Sequence, residues 1–462
     1  MPLDRLTALD ASFLYLEQPN TPMHVGEVAV FDPPDLGFDH SALVSLIQQR
    51  IGLVPRYRQK VRWVPGRVAN PVWVDDVDFD VSYHVRRSAL PRPGTDEQLR
   101  ELVARLMSRP LDHSRPLWEV YLVEGLQGGR VALITKTHQA LVDGLSNVDI
   151  STVILDATPR PRQVPDDDWR PRTPPGPIRL LAGAVTDLLL SPTVVLETAR
   201  VNVLDFRATA GQMLETVGGV LTAGRKALQA APSSPLNARV GQARRFVEVR
   251  TRLDDYRLVR RHHGGTVNDV VIAVLAGALR TWLLSRGEPV VVASTLRAMV
   301  PISVRRAGHA TGGYVRGYLV DLPVGEPSPV VRLARVSYAM RGHATPDESV
   351  GAGELVGLSG FAPPTLHTVG SRVAGPFTRR LYNLVITNVP GPQQPLFAGG
   401  ARMLEVFPVV PLANGQTLSV GVNSYNGGVY YGMNGDRDAL PDLDVLAQLV
   451  EESLAELVGT VR

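Results

Sequence analysis

Seven prolines between Thr158 and Pro177 form the strongest structural interruption in this sequence. Proline has no backbone N–H and clashes with the preceding helical turn, so the stretch predicts an exposed connection and neither a helix nor a central strand. The chain has 462 residues, of which 44% are hydrophobic. Because a single core rarely grows beyond about 250–300 residues, we predict two domains, residues 1–157 and 241–462, joined by a connection with crossover helices at residues 158–240.

Helices and strands both occur in the first domain. Thr95 opens a capping-box pattern, which predicts a helix that ends at Arg109. The segments Trp118–Glu124 and Arg130–His138 are rich in aliphatic and β-branched residues and flank a glycine-containing turn. We therefore predict two strands that pair with each other.

The second domain carries similar signals. Thr266 is predicted to begin an apolar helix that ends near Gly287 and Pro289. The glycine-rich segment Asn426–Gly428 separates two apolar runs, which predicts a β-hairpin. Asp442 is predicted to cap the final helix. The second domain is thus also expected to mix helices and strands.

The connection contains a second, apolar part. Apolar residues recur near helical spacing in Ile178–Ala231, which predicts one or two helices with an interruption at Ser191-Pro192. Such helices could lie on a lipid surface or cover an apolar groove. They lack the Lys/Arg-rich polar face that is typical of interfacial helices, so we favour ordinary packing.

Charge and cysteine content narrow the function. The chain has 48 Lys+Arg and 45 Asp+Glu, a formal net charge of +3, and no basic cluster, which argues against nucleic-acid binding. It has no cysteine, so disulfides and cysteine-ligated metals are excluded. The N-terminus lacks the apolar run of a signal peptide, and no stretch reaches the roughly 18 apolar residues of a membrane span. We expect a cytoplasmic protein whose membrane contact, where it occurs, is peripheral.

The segment Thr137–Gly144 holds the main candidate chemistry. If it begins as a strand, alternation places His138 on one face and Gln139 on the other. A neutral imidazole can accept a proton near neutral pH, whereas a carboxamide has no usable basicity. Asp143 and Gly144 are suited to turning the chain, and we interpret Asp143 as a structural cap.

Several segments, spread in order over nearly the whole chain, resemble a single protein family. They are Leu6–Phe13, Met23–Gly26, Pro116–Trp118, the motif around His138, Val267–Val270, Met299–Arg305 and Thr387–Pro392. Together they resemble the bacterial, actinobacterial-type wax ester synthase/diacylglycerol acyltransferase family. That family is related to condensation domains and chloramphenicol acetyltransferase.

The resemblance implies an α/β fold of two CoA-dependent acyltransferase-like domains, with mixed sheets flanked by helices and an active-site tunnel at their interface. It implies transfer of a fatty acyl group from acyl-CoA to diacylglycerol or a long-chain alcohol, which yields triacylglycerol or a wax ester. Acyl-CoA is then a substrate, and neither a resident cofactor nor a metal is expected. A peripheral membrane or lipid-droplet surface is a further expected partner.

The resemblance also assigns candidate site residues. The family motif is His-His-x-x-x-Asp-Gly, and Gln139 occupies the position of its second histidine, the base. A second departure is Gly312-Gly313, where the family tends to have Gly-Asn. The candidate catalytic residues are His138, Gln139, Asp143 and Gly144, and the candidate substrate-binding residues are Pro116, Leu117, Trp118, Asn268, Asp269, Thr387 and Asn388.

Structural roles compete with these assignments. Asn268 and Asp269 fall in the first turn of a predicted helix, where they can cap amides and complement the helix dipole. Trp118 is typical of a core, and a single histidine such as His138 is more often a hydrogen-bonded core residue. Asn388, in contrast, could donate a hydrogen bond to an acyl oxygen.

Because Gln139 occupies the position of the base, three functional hypotheses remain open. The first is a weakened or specialised O-acyltransferase. The second is a non-catalytic protein that binds acyl-CoA or lipid, or associates with lipid droplets. The third is condensation-type transfer to an amine or carrier-bound acceptor, which is weaker because these residues contain no carrier domain. We disfavour His138 as a substitute base, because its use would require a bulge at the strand end.

Overall fold

The computed structural model describes residues 3–32, 38–142, 150–165, 167–190, 230–305, 313–342 and 381–461. The α-helices in these ranges are α1 (Ala8–Leu16), α2 (His40–Arg50), α3 (Val81–His84), α4 (Asp96–Met107), α5 (Ile150–Ile154), α6 (Pro177–Leu190), α7 (Leu253–His263), α8 (Val267–Ser285), α9 (Pro329–Gly342) and α10 (Leu443–Gly459). The strands are β1 (His24–Phe31), β2 (Gln59–Arg62), β3 (Val72–Asp75), β4 (Val85–Ala89), β5 (Trp118–Glu124), β6 (Val131–His138), β7 (Leu155–Asp156), β8 (Arg244–Arg252), β9 (Leu296–Arg305), β10 (Gly313–Leu322), β11 (Leu384–Pro390), β12 (Phe397–Ala398), β13 (Ala401–Val409), β14 (Leu418–Tyr425) and β15 (Gly428–Asp436).

The first sheet combines strands from both halves of the chain, in the order β4-β5-β6-β1-β13-β12-β7. At its centre β1 pairs antiparallel with β6, which places His24 opposite His138. On its other side β1 pairs antiparallel with β13, which places Gly26 opposite Val409. β12 and β13 come late in the chain, and they complete a sheet whose other strands all precede the proline-rich connection. The predicted domain boundaries stay predictions, but backbone hydrogen bonding crosses between the two parts.

Alternation along β6 serves two cores. Val131 and Leu133 pack into a cluster on one face of the sheet, whereas Ala132 and Ile134 pack with residues of α4 on the other face. β5 and β6 pair antiparallel, as predicted. Both faces of the strand that carries the motif are therefore covered by protein.

The second sheet has the order β10-β9-β11-β14-β15-β8, and α8 packs in its core. Every side chain from Val270 to Ala276 is buried there, as the all-round apolar sequence predicts. By length and composition α8 could also cross a membrane, yet 72% of its apolar window is buried inside the protein. We therefore interpret α8 as the core helix of the second domain.

Local signals at the ends of several elements are confirmed. Thr95 precedes α4 and Thr266 precedes α8, and each forms a complete capping box. β14 and β15 form the predicted hairpin. Between them Asn426 and Gly427 have φ angles of 45° and 84°, the left-handed values that a tight type I′ turn requires.

Asp442 occupies the predicted N-cap position of the last helix, but the prediction that its side chain caps the helix is wrong. Asp442 precedes α10, but its side chain makes no capping hydrogen bond. Its carboxylate instead accepts hydrogen bonds from Trp282 Nε1 at 3.0 Å and from Arg286 Nη2 at 2.5 Å. The hydrogen bond from Arg286 is the main cause of a lowered pKa of Asp442. A charged partner at the end of α8 thus outweighs the local capping preference.

The proline-rich connection runs along the first domain. Its described residues between positions 158 and 176 form neither helix nor strand, as predicted. Arg172 attaches it through an ion pair with Asp75 at 3.2 Å. α6 follows as the first predicted crossover helix, and the predicted interruption at Ser191-Pro192 lies outside the described residues.

One arginine connects the two sheets. Arg250 of β8 donates to Glu405 of β13 at 2.8 Å and to Glu248 at 2.9 Å, and it lies 3.3 Å from Asp96 of α4. The side chain of Glu248 is only 2% exposed, and burial raises its pKa. Arg250 therefore supplies the compensating charge for a carboxyl group that water cannot reach.

We predict that Arg250→Met lowers the free energy of unfolding by about 3 kcal/mol, the lower end of the range for a broken buried ion pair. Because the folded-state pKa of Glu248 is already raised, the unpaired carboxylate destabilises the fold increasingly as pH rises. The loss should therefore be smaller near about pH 5 than at neutral pH. Urea unfolding at both pH values measures the difference.

Arg245→Met is the matched control on the same strand. Arg245 pairs with Asp444 at 2.5 Å, but the two side chains are 36% and 54% exposed. Exposed pairs contribute about 0–1 kcal/mol, so this variant should unfold close to the wild-type midpoint. Equal losses in the two variants would contradict the role assigned to Arg250.

Candidate active site

The motif lies at the end of β6, next to the centre of the first sheet. The backbone N–H of His138 donates to the carbonyl of Leu117 at 3.0 Å, and that of Gln139 donates to the carbonyl of Met23 at 2.8 Å. Sheet-like hydrogen bonds thus continue to Gln139, so the alternation of the strand extends to it. This supports the prediction that His138 and Gln139 face opposite sides.

His138 is enclosed by protein. Its side chain is 0% exposed, and its Nδ1 accepts a hydrogen bond from the backbone N–H of Ala140 at 3.0 Å. Nδ1 therefore acts as an acceptor, and only Nε2 remains to face a second partner. That Nε2 lies 3.6 Å from Oε2 of Glu17, and His113 Nε2 lies 2.7 Å from the same oxygen. We call these three side chains the His113–Glu17–His138 cluster.

Glu17 is the charged centre of this cluster. It follows α1, and its Oε1 accepts the backbone N–H of Met23 at 3.1 Å. Burial acts against the ionised carboxyl group, but the hydrogen bond from His113 and the nearby ring of His138 outweigh burial and lower the pKa of Glu17 well below its usual range. The carboxylate therefore holds His138 against the start of β1.

The ligand atoms of the cluster lie within 4.8 Å of one another, a spacing that could surround a metal ion. The hydrogen bonds of His138 do not suit such an ion. A histidine that ligates through Nε2 needs its proton on Nδ1, where the N–H of Ala140 already donates. The geometry fits a hydrogen-bonded framework better than a metal centre.

The same contacts argue against His138 as a substitute base. One ring nitrogen faces the N–H of Ala140 and the other faces Glu17. A general base must come within hydrogen-bond reach of the proton that it removes, whereas the side chain of His138 is 0% exposed and its Nε2, which has no hydrogen-bond partner among the described residues, points toward Glu17. The structure therefore supports a framework role for His138.

A cavity of about 250 Å³ lies where the two sheets meet. Its β1 and β6 wall includes Glu27 and Thr135, on the face of β6 to which Gln139 belongs. Gln139 follows Thr135 by four positions, about 13 Å along a strand, and does not itself line the cavity. The opposite wall comes from residues at the ends of β11 and β14, and many lining side chains are apolar, among them Phe31, Leu133, Ile154, Leu396, Met403 and Val406.

Two predicted substrate-binding residues contact each other in the second domain. Asn388 Nδ2 of β11 donates to Asn268 Oδ1 of α8 at 2.8 Å, although 120 positions separate them. Asn268 thus pairs across the domain, whereas its neighbour Asp269 caps α8 by accepting the N–H of Thr266 at 2.9 Å. Val389, the next residue after Asn388, lines the cavity. Because side chains alternate along a strand, Asn388 lies on the face of β11 that packs against α8, opposite the face on which Val389 lines the cavity.

The segment Pro116–Trp118 is buried beneath the motif. Trp118 is 0% exposed, its Nε1 donates to the carbonyl of Tyr57 at 2.7 Å, and its ring stacks on His84 with centroids 4.5 Å apart. These contacts account for packing. Thr387 is half-buried in β11 beside Asn388. Substrate binding by these residues stays a prediction.

Part of the motif is not described. Asp143 and Gly144 lie outside the described residues, as does Gly312 of the second departure from the family pattern, while Gly313 begins β10. The catalytic assignments of Asp143 and Gly144 therefore stay predictions.

The structure adds three residues that the sequence analysis missed. Glu17 and His113 reach the motif from other parts of the chain, and no sequence pattern announces them. Glu27 does carry a signal, because a carboxyl group is unusual within the otherwise apolar run of a buried strand.

The two-sheet fold with a cavity at the seam defines a protein of the condensation-domain-like acyltransferase class. Over 100% of both chains it is similar to the solved wax ester synthase/diacylglycerol acyltransferase from Marinobacter aquaeolei VT8, with 29% identity and a TM-score of 0.68. It is also similar in fold to the first condensation domain of the calcium-dependent antibiotic synthetase, with 15% identity over 100% of this chain and 96% of that one and a TM-score of 0.59. These likenesses confirm the predicted fold class.

Family models identify the family to which the chain belongs. The wax ester synthase/diacylglycerol acyltransferase catalytic domain matches residues 6–271, and the C-terminal domain of that family matches residues 311–458. A Mycobacterium tuberculosis protein named probable diacylglycerol O-acyltransferase tgs3 is 52% identical over 257 residues, 55% of this chain and 95% of that protein. Another from that organism, probable diacylglycerol O-acyltransferase tgs2, is 34% identical over 99% of this chain and 100% of its own length. The chain belongs to the wax ester synthase/diacylglycerol acyltransferase family, which confirms the resemblance seen in the sequence.

We predict that Glu17→Gln lowers the free energy of unfolding at pH 7 by on the order of 2 kcal/mol, the worth of hydrogen bonds to a charged group. A carboxyl group whose folded pKa is lowered stabilises the fold above its unfolded pKa, and this stabilisation is lost as the pH falls below about 4.3. The gap between wild type and variant should therefore narrow in acid. Urea unfolding at neutral and acidic pH measures it.

Glu124→Gln is the control for this prediction. Glu124 pairs with Arg87 at 2.7 Å, but the side chain of Arg87 is 65% exposed. We expect a change below about 1 kcal/mol with little dependence on pH. A similar small effect of Glu17→Gln would show that the cluster does not hold the motif.

Proposed function

We propose that the protein transfers a fatty acyl group from acyl-CoA to the hydroxyl group of diacylglycerol or a long-chain alcohol. The product is triacylglycerol or a wax ester, with free CoA. The observation that carries this proposal is a full-length family match combined with a largely apolar cavity at the seam of the two sheets. Such a cavity suits alkyl chains, because each buried methylene group contributes about 0.8 kcal/mol.

The reaction exchanges one acyl bond for another. The alcohol oxygen attacks the thioester carbonyl, the new C–O bond forms, the C–S bond breaks, and the hydroxyl proton ends on the sulfur of CoA. The amide of Gln139 can hydrogen-bond the alcohol and orient it, but it cannot take the proton. Positioning of both substrates in the seam must then supply a larger share of the rate.

The asparagine pair is suited to the carbonyl oxygen. Each side-chain amide has two N–H groups, and the hydrogen bond from Asn388 to Asn268 uses only one of them. A fixed amide donor can stabilise the negative charge that develops on a thioester oxygen within its hydrogen-bond reach. We propose this role for Asn388, with Asn268 holding it in place.

We predict that Gln139→His raises acyl transfer at least about tenfold, because general-base assistance is typically worth 10²–10⁴ in rate. Release of CoA with a long-chain alcohol or diacylglycerol present measures the rate. Gln139→Asn is the matched control, since it keeps a carboxamide and should show no gain. A Gln139→His enzyme no faster than wild type would show that position 139 does not limit the reaction.

We predict that His138→Ala lowers the stability of the protein while leaving the pH dependence of its remaining activity unchanged, because His138 is a framework residue. Thermal unfolding and a pH–rate profile measure the two effects. If a correctly folded His138→Ala protein lost all activity that wild type shows, His138 would be the base after all.

The non-catalytic alternative rests on one observation, the carboxamide at position 139. Family membership does not favour it, since the catalytic-domain model covers the motif. Purified wild-type protein separates the two functions. CoA release above the blank supports the transferase, whereas tight acyl-CoA binding without release, unchanged by Gln139→His, would support a binding protein.

We also infer where the protein works and with what. We propose a cytoplasmic protein that takes acyl-CoA as a substrate, uses no resident cofactor, and contacts a membrane or lipid-droplet surface peripherally. Exposed apolar side chains on α6 support the surface contact, since Ile178 is 84% exposed and Leu181 is 39% exposed. Flotation with lipid vesicles tests it, and Ile178→Asp should weaken co-flotation.

A further inference from the structure

The loop between α1 and β1, residues 17–23, connects the motif to the second sheet. Two backbone hydrogen bonds, of 2.9 Å and 3.3 Å, close a tight turn around its middle residue, Asn20. Pro19 and Pro22 stand on either side of this residue in the sequence. Because each proline fixes its own φ angle, the loop has little freedom to bend, and a displacement of Asn20 is passed on to the ends of the loop.

The two ends of this loop contact the motif. The carbonyl of Met23 accepts the N–H of Gln139 at 2.8 Å. The N–H of Met23 in turn donates to Oε1 of Glu17 at 3.1 Å, and Oε2 of Glu17 lies 3.6 Å from Nε2 of His138. Both motif residues are therefore in contact with the loop, so the position of the loop sets the position of the end of β6.

The middle of the loop is bound to the start of β8. Nδ2 of Asn20 donates to the carbonyl of Val240 at 2.7 Å, and Nη2 of Arg244 donates to the carbonyl of Asn20. The partners are 220 and 224 positions apart in the chain. Arg244 is the first residue of β8 and is only 6% exposed. Asn20 therefore connects the loop to the second sheet through its side chain and its backbone together.

The segment that binds Asn20 is itself held in place. The carboxylate of Asp436, the last residue of β15, accepts the N–H of Gly241 at 2.6 Å, and Asp436 pairs with Arg244 between the strands. Nη1 of Arg244 also donates to the carbonyl of Gly241 at 2.9 Å. Removing a guanidinium group from water is costly unless acceptors replace the water, and these carbonyls do so. Hydrogen bonds therefore run without a break from β15 to the loop.

We propose that Asn20 is a positioning residue for acyl transfer, which holds residue 139 at a fixed place relative to the second sheet. The inference rests on the proposed function and adds a residue to its machinery. Substrates bound between two sheets react only when groups from both sheets are aligned, and a misplacement of about 1 Å can cost about 10²-fold in rate. Asn20 acts through Met23 and Glu17, which contact the motif.

Steady-state kinetics of CoA release test the proposed role. Asn20→Ala removes the donor to Val240, and we expect kcat to fall at least about tenfold while KM for acyl-CoA and for a long-chain alcohol changes less than about twofold. Tyr430→Phe is the matched control, because it removes one hydrogen bond between β15 and β13, of 3.3 Å, away from the loop. It should keep the wild-type kcat. An equal effect of the two variants would overturn the proposal.

Hydrogen exchange followed by mass spectrometry tests the same contacts without requiring turnover. The N–H of Gln139 is protected by the carbonyl of Met23, so the peptide that contains it should exchange at least about fivefold faster in Asn20→Ala, while α10 keeps its wild-type rate. Unchanged exchange around Gln139 would show that Asn20 does not hold this residue. Faster exchange of the whole protein would show a general loss of stability, and it too would refute the proposal.

A double-mutant cycle with Gln139→His separates positioning from general damage. A base assists only within hydrogen-bond reach of the proton, so the rate gain from Gln139→His should shrink at least about threefold when Asn20 is replaced by alanine. An undiminished gain would contradict the inference. Normal turnover by Asn20→Ala would refute the inference and leave the transferase intact. If neither wild type nor Gln139→His releases CoA, the transferase fails, and the exchange measurement still decides whether Asn20 holds residue 139.

Discussion

The pairing of β13 with β1 is the constraint on which the rest of the structure depends. It brings a strand from the second half of the chain to the centre of the first sheet, with Pro408 opposite Glu27 and Val406 opposite Ala29. The same strand packs closely on β15, where a Cβ on Gly432 would collide with the carbonyl oxygen of Pro408. The seam between the sheets, and the cavity in it, exist because of this crossing.

The two faces of β6 contact different parts of the protein. On one face the His113–Glu17–His138 cluster buries charge and hydrogen bonds that hold the end of the strand. On the other face Thr135 lines the cavity, and Gln139 continues that face toward the turn.

General-base assistance and the positioning of two reactants contribute unequally to the rate. This difference explains why the fold can function without the second histidine. A general base is worth about 3–5 kcal/mol of barrier, whereas well-oriented binding of two reactants is worth about 7–11 kcal/mol. The cavity at the seam would contribute to the second of these effects under the proposed function. Under the proposed mechanism, a missing base at position 139 removes the smaller contribution.

The sequence by itself determined the family, the fold class, the capping boxes at Thr95 and Thr266 and the turn at Asn426, because each depends on residues close together in the chain. Strand alternation also predicted that the side chains of Gln139 and His138 point to opposite faces. Only the tertiary structure decided that Asp442 binds Arg286 in preference to capping its helix, that β13 crosses into the first sheet, and which residues surround the motif. Those outcomes depend on hydrogen bonds and buried charges between residues far apart in sequence, and no local pattern records which distant partner will offer the stronger contact.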